Sequence, residues 1–212
     1  MTPAARLAAG LEALGIAADA DQQAALLAYA HLLLRWNRAY NLTAARDLDE
    51  LVRRHLLDSA AVLPHLQGDR VLDVGTGAGL PGVPLAILRP GVSFWLLDGN
   101  GKRVRFLQQL VAALPELAIH PVWARAELWQ ATPFPCVISR AVTSAAELIK
   151  VAGHLCAEDG AMLAMKGRLP THELAALPAG WTATAPMRLR VPGLDAERHL
   201  LRLRRTTAAS AR

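Results

Sequence analysis

Cysteine, aromatic residues and long apolar runs are all scarce in this chain of 212 residues. Two cysteines, Cys136 and Cys156, make no disulfide framework, and without a Cys-x-x-Cys pair or a His-Glu-x-x-His segment no metal site is expected. An aromatic content of 5% argues against a base-stacking platform. Glu12, Asp19 and Asp21 interrupt the alanine-rich start before any membrane span could form. We therefore expect a cytoplasmic protein with no metal and no membrane partner.

The charge is basic and is concentrated towards the C-terminus. The formal net charge is +5, and residues 160–212 hold nine basic side chains against three acidic ones. Such a surplus suggests a polyanionic partner such as nucleic acid. Ordinary solvated arginines are the alternative interpretation. Hydrophobic residues make up 53% of the chain, enough for one domain with an extension.

The hydrophobic pattern divides the chain into a helical extension, residues 1–66, and an alternating α/β domain, residues 67–205. The domain calls for a mostly parallel sheet covered on both faces. Segments 181–191 and 197–205 predict an antiparallel strand pair added to that sheet, and residues 206–212 predict a flexible tail. Short apolar runs predict strands near 70–74, 93–98, 118–123, 136–139 and 161–167. Helical periods between them predict helices near 82–88, 101–113, 144–155 and 171–176.

Residues 71–82, VLDVGTGAGLPG, predict a strand, a glycine-rich turn and the start of a helix. A ligand can lie directly against backbone at such a turn. Asp73 ends the strand before Gly75, Gly77 and Gly79, and Asp98 ends the next strand about 20 residues later. That spacing suits a carboxylate that accepts hydrogen bonds from the ribose of an adenosine-containing ligand.

The spacing of the glycines bears on which adenosine ligand is bound. Nicotinamide and flavin dinucleotides favour G-x-G-x-x-G, whereas this turn reads G-x-G-x-G. S-adenosylmethionine has no pyrophosphate, and Asp73 is well placed to neutralise its ammonium group. S-adenosylmethionine is therefore favoured, with a nicotinamide cofactor as the lesser alternative.

Eight segments in order, over nearly the whole chain, resemble the RsmG/GidB family. They are RWNRAYNLTA (35–44), RHLLDS (54–59), DVGTGAGLPGVPLAI (73–87), LLDGNGKRVRFL (96–107), RAE (125–127), SRAV (139–142), MKG (165–167) and ERHL (197–200). This family comprises bacterial S-adenosylmethionine-dependent methyltransferases that modify N7 of a guanine in the 530 loop of 16S rRNA. The resemblance implies a class I (Rossmann-like) methyltransferase fold with 16S rRNA or the 30S subunit as partner. We expect a monomer.

The resemblance also implies cofactor roles for individual residues. Gly75 and Leu80 should touch the cofactor, Ala126 and Glu127 should lie near its adenine, and Arg140 should reach the cofactor or the target guanine. Where this chain has Gly99, the family usually has a serine after the aspartate.

Four residues are candidates for contact with RNA: Asn41, His55, Lys166 and Arg198. Each has an ordinary structural alternative, such as a helix cap or turn for Asn41 and a satisfied polar side chain for His55. Lys166 ends the fifth predicted strand at the ligand edge, and Arg198 belongs to an alternating arginine face with Arg202 and Arg204.

Guanine N7 has a free lone pair at neutral pH, so it can attack the methyl group in line without a general base. We therefore name no acid or base, and give Arg140 at most a positioning role. Cys136 lies about 10 Å before the ligand edge, which argues against a cysteine nucleophile. A small-molecule or protein methyltransferase, and a non-catalytic RNA-binding module, remain as alternatives.

Overall fold

The computed structural model describes residues 1–140, 144–168 and 171–206. Within them, eight strands form one sheet in the order β3-β2-β1-β4-β5-β8-β6, with β7 also paired to β8. The strands are β1 Arg70–Val74, β2 Ser93–Asp98, β3 Ile119–Trp123, β4 Phe134–Ser139, β5 Cys156–Lys166, β6 Trp181–Ala183, β7 Met187–Arg188 and β8 His199–Arg205. Apart from Thr206, the predicted tail lies outside the described residues.

The first five strands are parallel, and the last three are antiparallel to their neighbours. Chain order reverses at β1, because β2 and β3 lie on one side of it and β4 and β5 on the other. Crossovers on the two sides run in opposite directions there, which opens a crevice at the carboxyl ends of β1 and β4. The predicted mostly parallel α/β sheet is present.

The predicted strand over 181–191 is wrong in one respect, since it is broken into β6 and β7. Both pair with β8, but Ala183 lies opposite Leu203 whereas Met187 lies opposite Leu200. Four steps along one strand therefore match three along the other, which is a bulge of one residue. Pro186 lies in the interruption and has no N–H for the ladder.

Helices alone occupy the extension before β1. They are α1 Pro3–Ala13, α2 Ala20–Tyr40, α3 Leu48–Leu51 and α4 Leu57–Ala60, with a π turn Val52–Leu56 and a 3₁₀ turn Leu63–His65. Asp19 caps α2 in a reciprocal capping box with Gln22, and Asn41 ends it in the left-handed region, at φ 50°. The π turn joins α3 to α4, where the Leu57 N–H bonds to the Val52 carbonyl.

Helices cover both faces of the sheet. They are α5 Gly82–Leu88, α6 Gly101–Ala113, α7 Ala145–Ala152 and α8 Thr171–Leu174. Every residue of α5 is buried, because the extension packs over it on the side away from the sheet. Leu163 and Met165 of β5 face the core shared with the extension, while Met162 and Ala164 face the core with α7. The extension is thus part of the main hydrophobic core.

Candidate functional site

The glycine-rich turn after β1 is held by backbone bonds from the neighbouring strand. The N–H groups of Gly75 and Thr76 both donate to the Leu97 carbonyl, at 2.9 and 3.1 Å. Gly77 has a φ of 62°, a conformation that L side chains rarely adopt. At Gly79 a Cβ would meet the Val83 side chain at 2.5 Å. These glycines therefore allow the backbone turn and the close packing of α5 beneath it.

Asp73 is fully buried under this turn. Its Oδ2 accepts hydrogen bonds from the Thr76 hydroxyl at 2.7 Å and the Gly82 N–H at 2.8 Å. Its Oδ1 has no hydrogen-bond partner among the described residues. Burial raises the pKa of Asp73 from 3.8 to about 6, against the lowering effect of those two bonds. An unpaired buried carboxylate oxygen suits a cationic group bound nearby.

Asp98 ties the end of β2 to the same turn. Its Oδ2 accepts from the Gly77 N–H at 2.9 Å and lies 3.3 Å from Nη1 of Arg103, while Oδ1 accepts from the Asn100 N–H at 2.8 Å. A carboxylate offers about four acceptor positions, so capacity remains for a ligand hydroxyl.

A cavity of about 380 Å³ lies at the carboxyl ends of β1, β2 and β3. We call it the cofactor cavity. It contains four of the predicted cofactor residues, which are Gly75, Asp98, Ala126 and Glu127. Its other lining residues are Val74, Leu97, Gly99, Ala124 and Arg125. Residues far apart in sequence therefore meet where the sequence predicted an adenosine ligand.

The remaining predicted cofactor residues lie outside this lining, and one of them, Asp73, has no exposed surface. Gly79 and Leu80 are buried, with Leu80 only 4% exposed. They pack on the protein side of the turn, where Gly79 lies against Val83 of α5. Gly77 is half-buried and contributes its N–H to Asp98. Arg140 lines a different cavity.

This second cavity, of about 290 Å³, brings together Arg140 and three of the four RNA candidates, His55, Lys166 and Arg198. We call it the acceptor cavity. Arg54, Asp58, Met165 and Gly167 complete its lining. Its residues come from the extension, the end of β4, the end of β5 and the residue before β8.

Asp58 is the charge partner of two of the three arginines in the acceptor cavity, Arg140 and Arg198. Its Oδ1 lies 2.9 Å from Nε of Arg198 and its Oδ2 lies 3.4 Å from Nη1 of Arg140. The Asp58 side chain is 3% exposed and each arginine side chain 23% exposed, so the pairs are shielded from water. Glu127 and Glu147 pair with Arg125 and Lys150, respectively, and not with Arg140.

Lys166 is also paired. Its Nζ lies 2.9 Å from Oε2 of Glu173, and the same oxygen accepts a bond from the Ala145 N–H at the start of α7. The Lys166 side chain is 9% exposed. The ion pair therefore joins β5, α7 and α8 at the rim of the acceptor cavity.

His55 uses both ring nitrogens. Nδ1 lies 3.1 Å from Nη1 of Arg140, and Nε2 lies 2.8 Å from Oγ1 of Thr43. Burial, helped by Arg140 and Arg54, lowers the pKa of His55 from 6.5 to about 4. The imidazole is therefore neutral at physiological pH.

Asn41 lies outside the acceptor cavity. It is exposed and ends α2. It does not cap the start of the next helix, α3, because Asp47 does so. The segment that follows reaches the cavity indirectly, because Thr43 contacts His55.

The C-terminal arginine face is directed at residues 58–67 of the same chain. Arg198 pairs with Asp58, Arg202 donates to the His65 carbonyl and Arg204 donates to Oε1 of Gln67. The three share one side, as the alternation predicts. These contacts show that the arginines of a basic strand can bond within the protein itself. Arg188 and Arg190, on the other strand segment, are exposed.

Both cysteines are buried, and burial raises the pKa of each thiol to about 11. Within residues 1–140, 144–168 and 171–206, no three His, Cys, Asp or Glu side chains are grouped so as to hold a metal ion. No helix in that part of the chain combines the length and apolar character of a membrane span.

Sequence reasoning missed Asp58, Thr43 and Tyr29. Asp58 lies in the apolar run LLDSAAVL. A charge in such a run is expected to be buried and to need a partner, so the sequence does indicate that Asp58 is a candidate. Tyr29 donates its hydroxyl to the Ala78 carbonyl in the glycine turn at 2.7 Å, but in sequence it is one more residue of an apolar helical stripe.

Known structures with this fold are methyltransferases of several kinds. The O-methyltransferase TomG from Streptomyces achromogenes, in complex with SAM, aligns with a TM-score of 0.59 at 15% identity, covering 98% of this chain and 100% of that one. TrmN from Thermus thermophilus aligns with a TM-score of 0.55 at 18% identity, over 73% of this chain and 53% of that one. These likenesses define the fold as the Rossmann-like class to which these methyltransferases belong.

The sequence narrows this class to one family. The family model for rRNA small subunit methyltransferase G matches residues 22–201. Ribosomal RNA small subunit methyltransferase G from Pseudomonas aeruginosa (strain LESB58) is 50% identical over 202 residues, covering 94% of each chain. That from Chromohalobacter salexigens is 51% identical over 207 residues, covering 97% of this chain and all of that protein. The chain belongs to the rRNA small subunit methyltransferase G family, and the resemblance to RsmG/GidB is confirmed.

Proposed function

We propose that this chain transfers a methyl group from S-adenosylmethionine to N7 of a guanine in the 530 loop of 16S rRNA. The observation that carries the proposal is a hydrogen bond between the ends of β4 and β1, next to residues that line the two cavities. The Ser139 hydroxyl donates to the carbonyl of Val74, which lines the cofactor cavity, at 2.8 Å. The next residue, Arg140, lines the acceptor cavity. A methyl donor in one cavity and a base in the other would therefore meet beside Arg140.

Together, the cofactor cavity and Asp73, which is buried beneath the glycine-rich turn, offer a partner for each part of S-adenosylmethionine. Asp98 would accept bonds from the ribose hydroxyls, and the backbone at Gly75 permits close approach. Ala126 and Glu127 would lie beside the adenine. Asp73, with its unpaired Oδ1, would balance the ammonium charge. When bound, this cofactor supplies an electrophilic methyl group.

The acceptor cavity contains hydrogen-bond donors rather than a free base. Arg140 and Arg198 can donate to guanine O6 or to phosphate oxygens, and Lys166 lies at the rim. Asn41 is proposed as a more distant RNA contact. Asp58 is bonded to two arginines, and both nitrogens of His55 are already engaged. Guanine N7 carries no proton, so the residues need only hold the lone pair in line with the methyl group.

The absence of a general base can be tested by the pH dependence of single-turnover methylation with saturating RNA and cofactor. We expect the methylation rate not to rise and then fall between pH 6 and 8, because no acid and base need to titrate together. A bell-shaped profile in that range, with methyl transfer limiting, would contradict direct transfer.

The acceptor class is tested by offering labelled cofactor with naked 16S rRNA, with 30S subunits, or with the protein and small-molecule fractions of a cell extract. Label in rRNA or in 30S RNA supports the proposal. Label only in protein or in a small molecule would support the alternative methyltransferases. RNA binding without any label would support a non-catalytic module.

A further inference from the structure

The acceptor cavity contains a histidine whose hydrogen-bonding capacity is fully used. A neutral imidazole has one donor and one acceptor nitrogen. The Nδ1 of His55 contacts Arg140 and its Nε2 contacts Thr43. Neither nitrogen is left to bond with RNA.

The partners of His55 also fix which nitrogen carries the proton. An arginine guanidinium is only a donor, so Nδ1 must accept from Arg140. The proton is then on Nε2, which donates to the Thr43 hydroxyl oxygen at 2.8 Å. Arg140 thus donates to His55, and His55 donates to Thr43, which lies between α2 and α3.

Charges around the ring favour its neutral state. Arg140, Arg54 and Arg198 oppose a positive imidazolium, and only Glu50 among the groups acting on His55 favours it. Asp58 also lies close by, but it is paired with Arg140 and Arg198. The ring is therefore poorly suited to accept a proton during turnover.

We propose that His55 is a positioning residue that directs Arg140 into the acceptor cavity and does not itself bond to RNA. The effect on turnover rests on the proposed function. His55 lies on the π turn and Asp58 follows it by three residues, so one segment of the extension supplies two acceptors to Nη1 of Arg140. These acceptors restrict the guanidinium of Arg140, which follows directly after β4.

Two substitutions separate this role from others. In His55→Asn an amide oxygen can occupy the place of Nδ1 and still accept from Arg140. In His55→Gln the amide lies where Nε2 was, and the bond to Arg140 is lost. We expect His55→Asn to keep kcat within about threefold and His55→Gln to lower kcat by roughly tenfold to a hundredfold, with cofactor affinity unchanged in both.

The contrary results are distinct. Equal, severe loss in both variants would mean that the imidazole itself takes part in the reaction, and the proposal would be wrong. Equal activity in both would mean that Arg140 needs no such acceptor, which also overturns it. Exposed His31→Gln on α2 serves as a matched control for the substitution itself.

Thr43 supplies a second pair if the His55 variants fold poorly. Thr43→Ser keeps the hydroxyl and should keep kcat within about twofold. Thr43→Val keeps the shape but loses the acceptor for Nε2–H, so kcat should fall several-fold without a matching rise in KM. Equal kcat in the two variants would contradict the proposed chain of hydrogen bonds.

Imidazole nitrogen NMR of the full chain tests the bonding without any methylation. We expect His55 to remain the neutral Nε2–H tautomer from pH 5 to pH 8. Titration near pH 6.5, or a proton on Nδ1, would overturn the inference. Because no RNA is required, this result is independent of whether the proposed acceptor is correct.

Discussion

At the scale of single residues, two buried carboxylates differ in how their charges are partnered. Asp73 and Asp58 are both almost wholly buried, but their surroundings differ. Asp58 is paired with two arginines, whereas one oxygen of Asp73 has no partner among the described residues. The Asp58 carboxylate is therefore paired within the protein, whereas the Asp73 carboxylate is suited to a cationic ligand.

Asp73 should make cofactor binding depend on pH. Its pKa of about 6 is raised by burial, so in the ligand-free protein it contributes stability below its ordinary pKa of 3.8, and this is lost as the pH rises through about 6. A bound ammonium group would favour the ionised form. We therefore expect affinity for S-adenosylhomocysteine, measured by calorimetry, to rise about tenfold from pH 5 to pH 7.

Asp73→Asn is the control for that titration. The variant has no carboxyl group, so its affinity should be lower at pH 7 and nearly constant between pH 5 and pH 7. The same rise with pH in the variant would show that a different group is responsible.

Arg198→Ala should weaken RNA binding several-fold and leave cofactor affinity unchanged. The guanidinium lines only the acceptor cavity, and its loss also leaves buried Asp58 with one arginine fewer. We expect the free energy of unfolding to fall by about 1–3 kcal/mol. Binding to an rRNA fragment, calorimetry with the cofactor product and thermal unfolding measure the three effects.

Arg188→Ala is the matched control, because Arg188 is an exposed arginine of the same basic segment. It should leave stability unchanged. If Arg198→Ala lowered RNA and cofactor affinity equally, general misfolding would explain the result and the assignment of Arg198 would fail.

At the scale of elements, the extension lines the acceptor cavity and supports the glycine-rich turn through different helices. The π turn and α4 carry His55 and Asp58 to the acceptor cavity. Helix α2 carries Tyr29, whose hydroxyl bonds to the Ala78 carbonyl in the glycine turn. Burial raises the pKa of Tyr29 well above its usual value, so this hydroxyl remains a donor at every relevant pH.

Tyr29→Phe should reduce cofactor affinity by roughly fivefold, about 1 kcal/mol, because the turn loses a buried hydrogen bond. Calorimetry with S-adenosylhomocysteine measures this change. Tyr40→Phe is the control on the same helix, since Tyr40 is 39% exposed. Equal affinity in both variants would mean that α2 does not support the turn.

Local pattern was enough to predict most elements but could not predict the π turn or the broken C-terminal strand. Four of the five parallel strands are short runs of five or six residues with helical periods between them, and Asp73, Gly75 and Asp98 lie within one such unit. β5 begins at Cys156, earlier than its apolar run at 161–167 predicts, because its first residues include charged side chains. The π turn has the same apolar spacing as an α-helix. The bulge near Pro186 depends on pairing with β8, which lies later in the chain.

The acceptor cavity shows why the rest of the site was hard to predict. Asp58 is separated by 82 residues from Arg140 and by 140 from Arg198, so no spacing rule joins them. The positive C-terminal quarter predicts a partner surface from charge alone. Arg202 and Arg204 instead bond to His65 and Gln67, and Arg198 pairs with Asp58 while also lining the acceptor cavity. Tertiary contacts therefore decide how much of each charge is available to a partner.

At the scale of the whole molecule, the extension and the sheet domain share one hydrophobic core and together line the acceptor cavity. The cofactor cavity is built by the carboxyl ends of β1, β2 and β3, and the acceptor cavity needs the extension as a fourth wall. Membership of the rRNA small subunit methyltransferase G family agrees with this arrangement, because the family model spans residues 22–201 and so includes both parts.

The central claim is that guanine N7 of 16S rRNA receives the methyl group. Its most direct test is to methylate 16S rRNA, as naked RNA and in 30S subunits, with labelled S-adenosylmethionine and then to locate the label. We predict 7-methylguanosine at a single site in the 530 loop, seen as one strand break after borohydride and aniline treatment. Label on another atom, on another base or outside that loop would contradict the account.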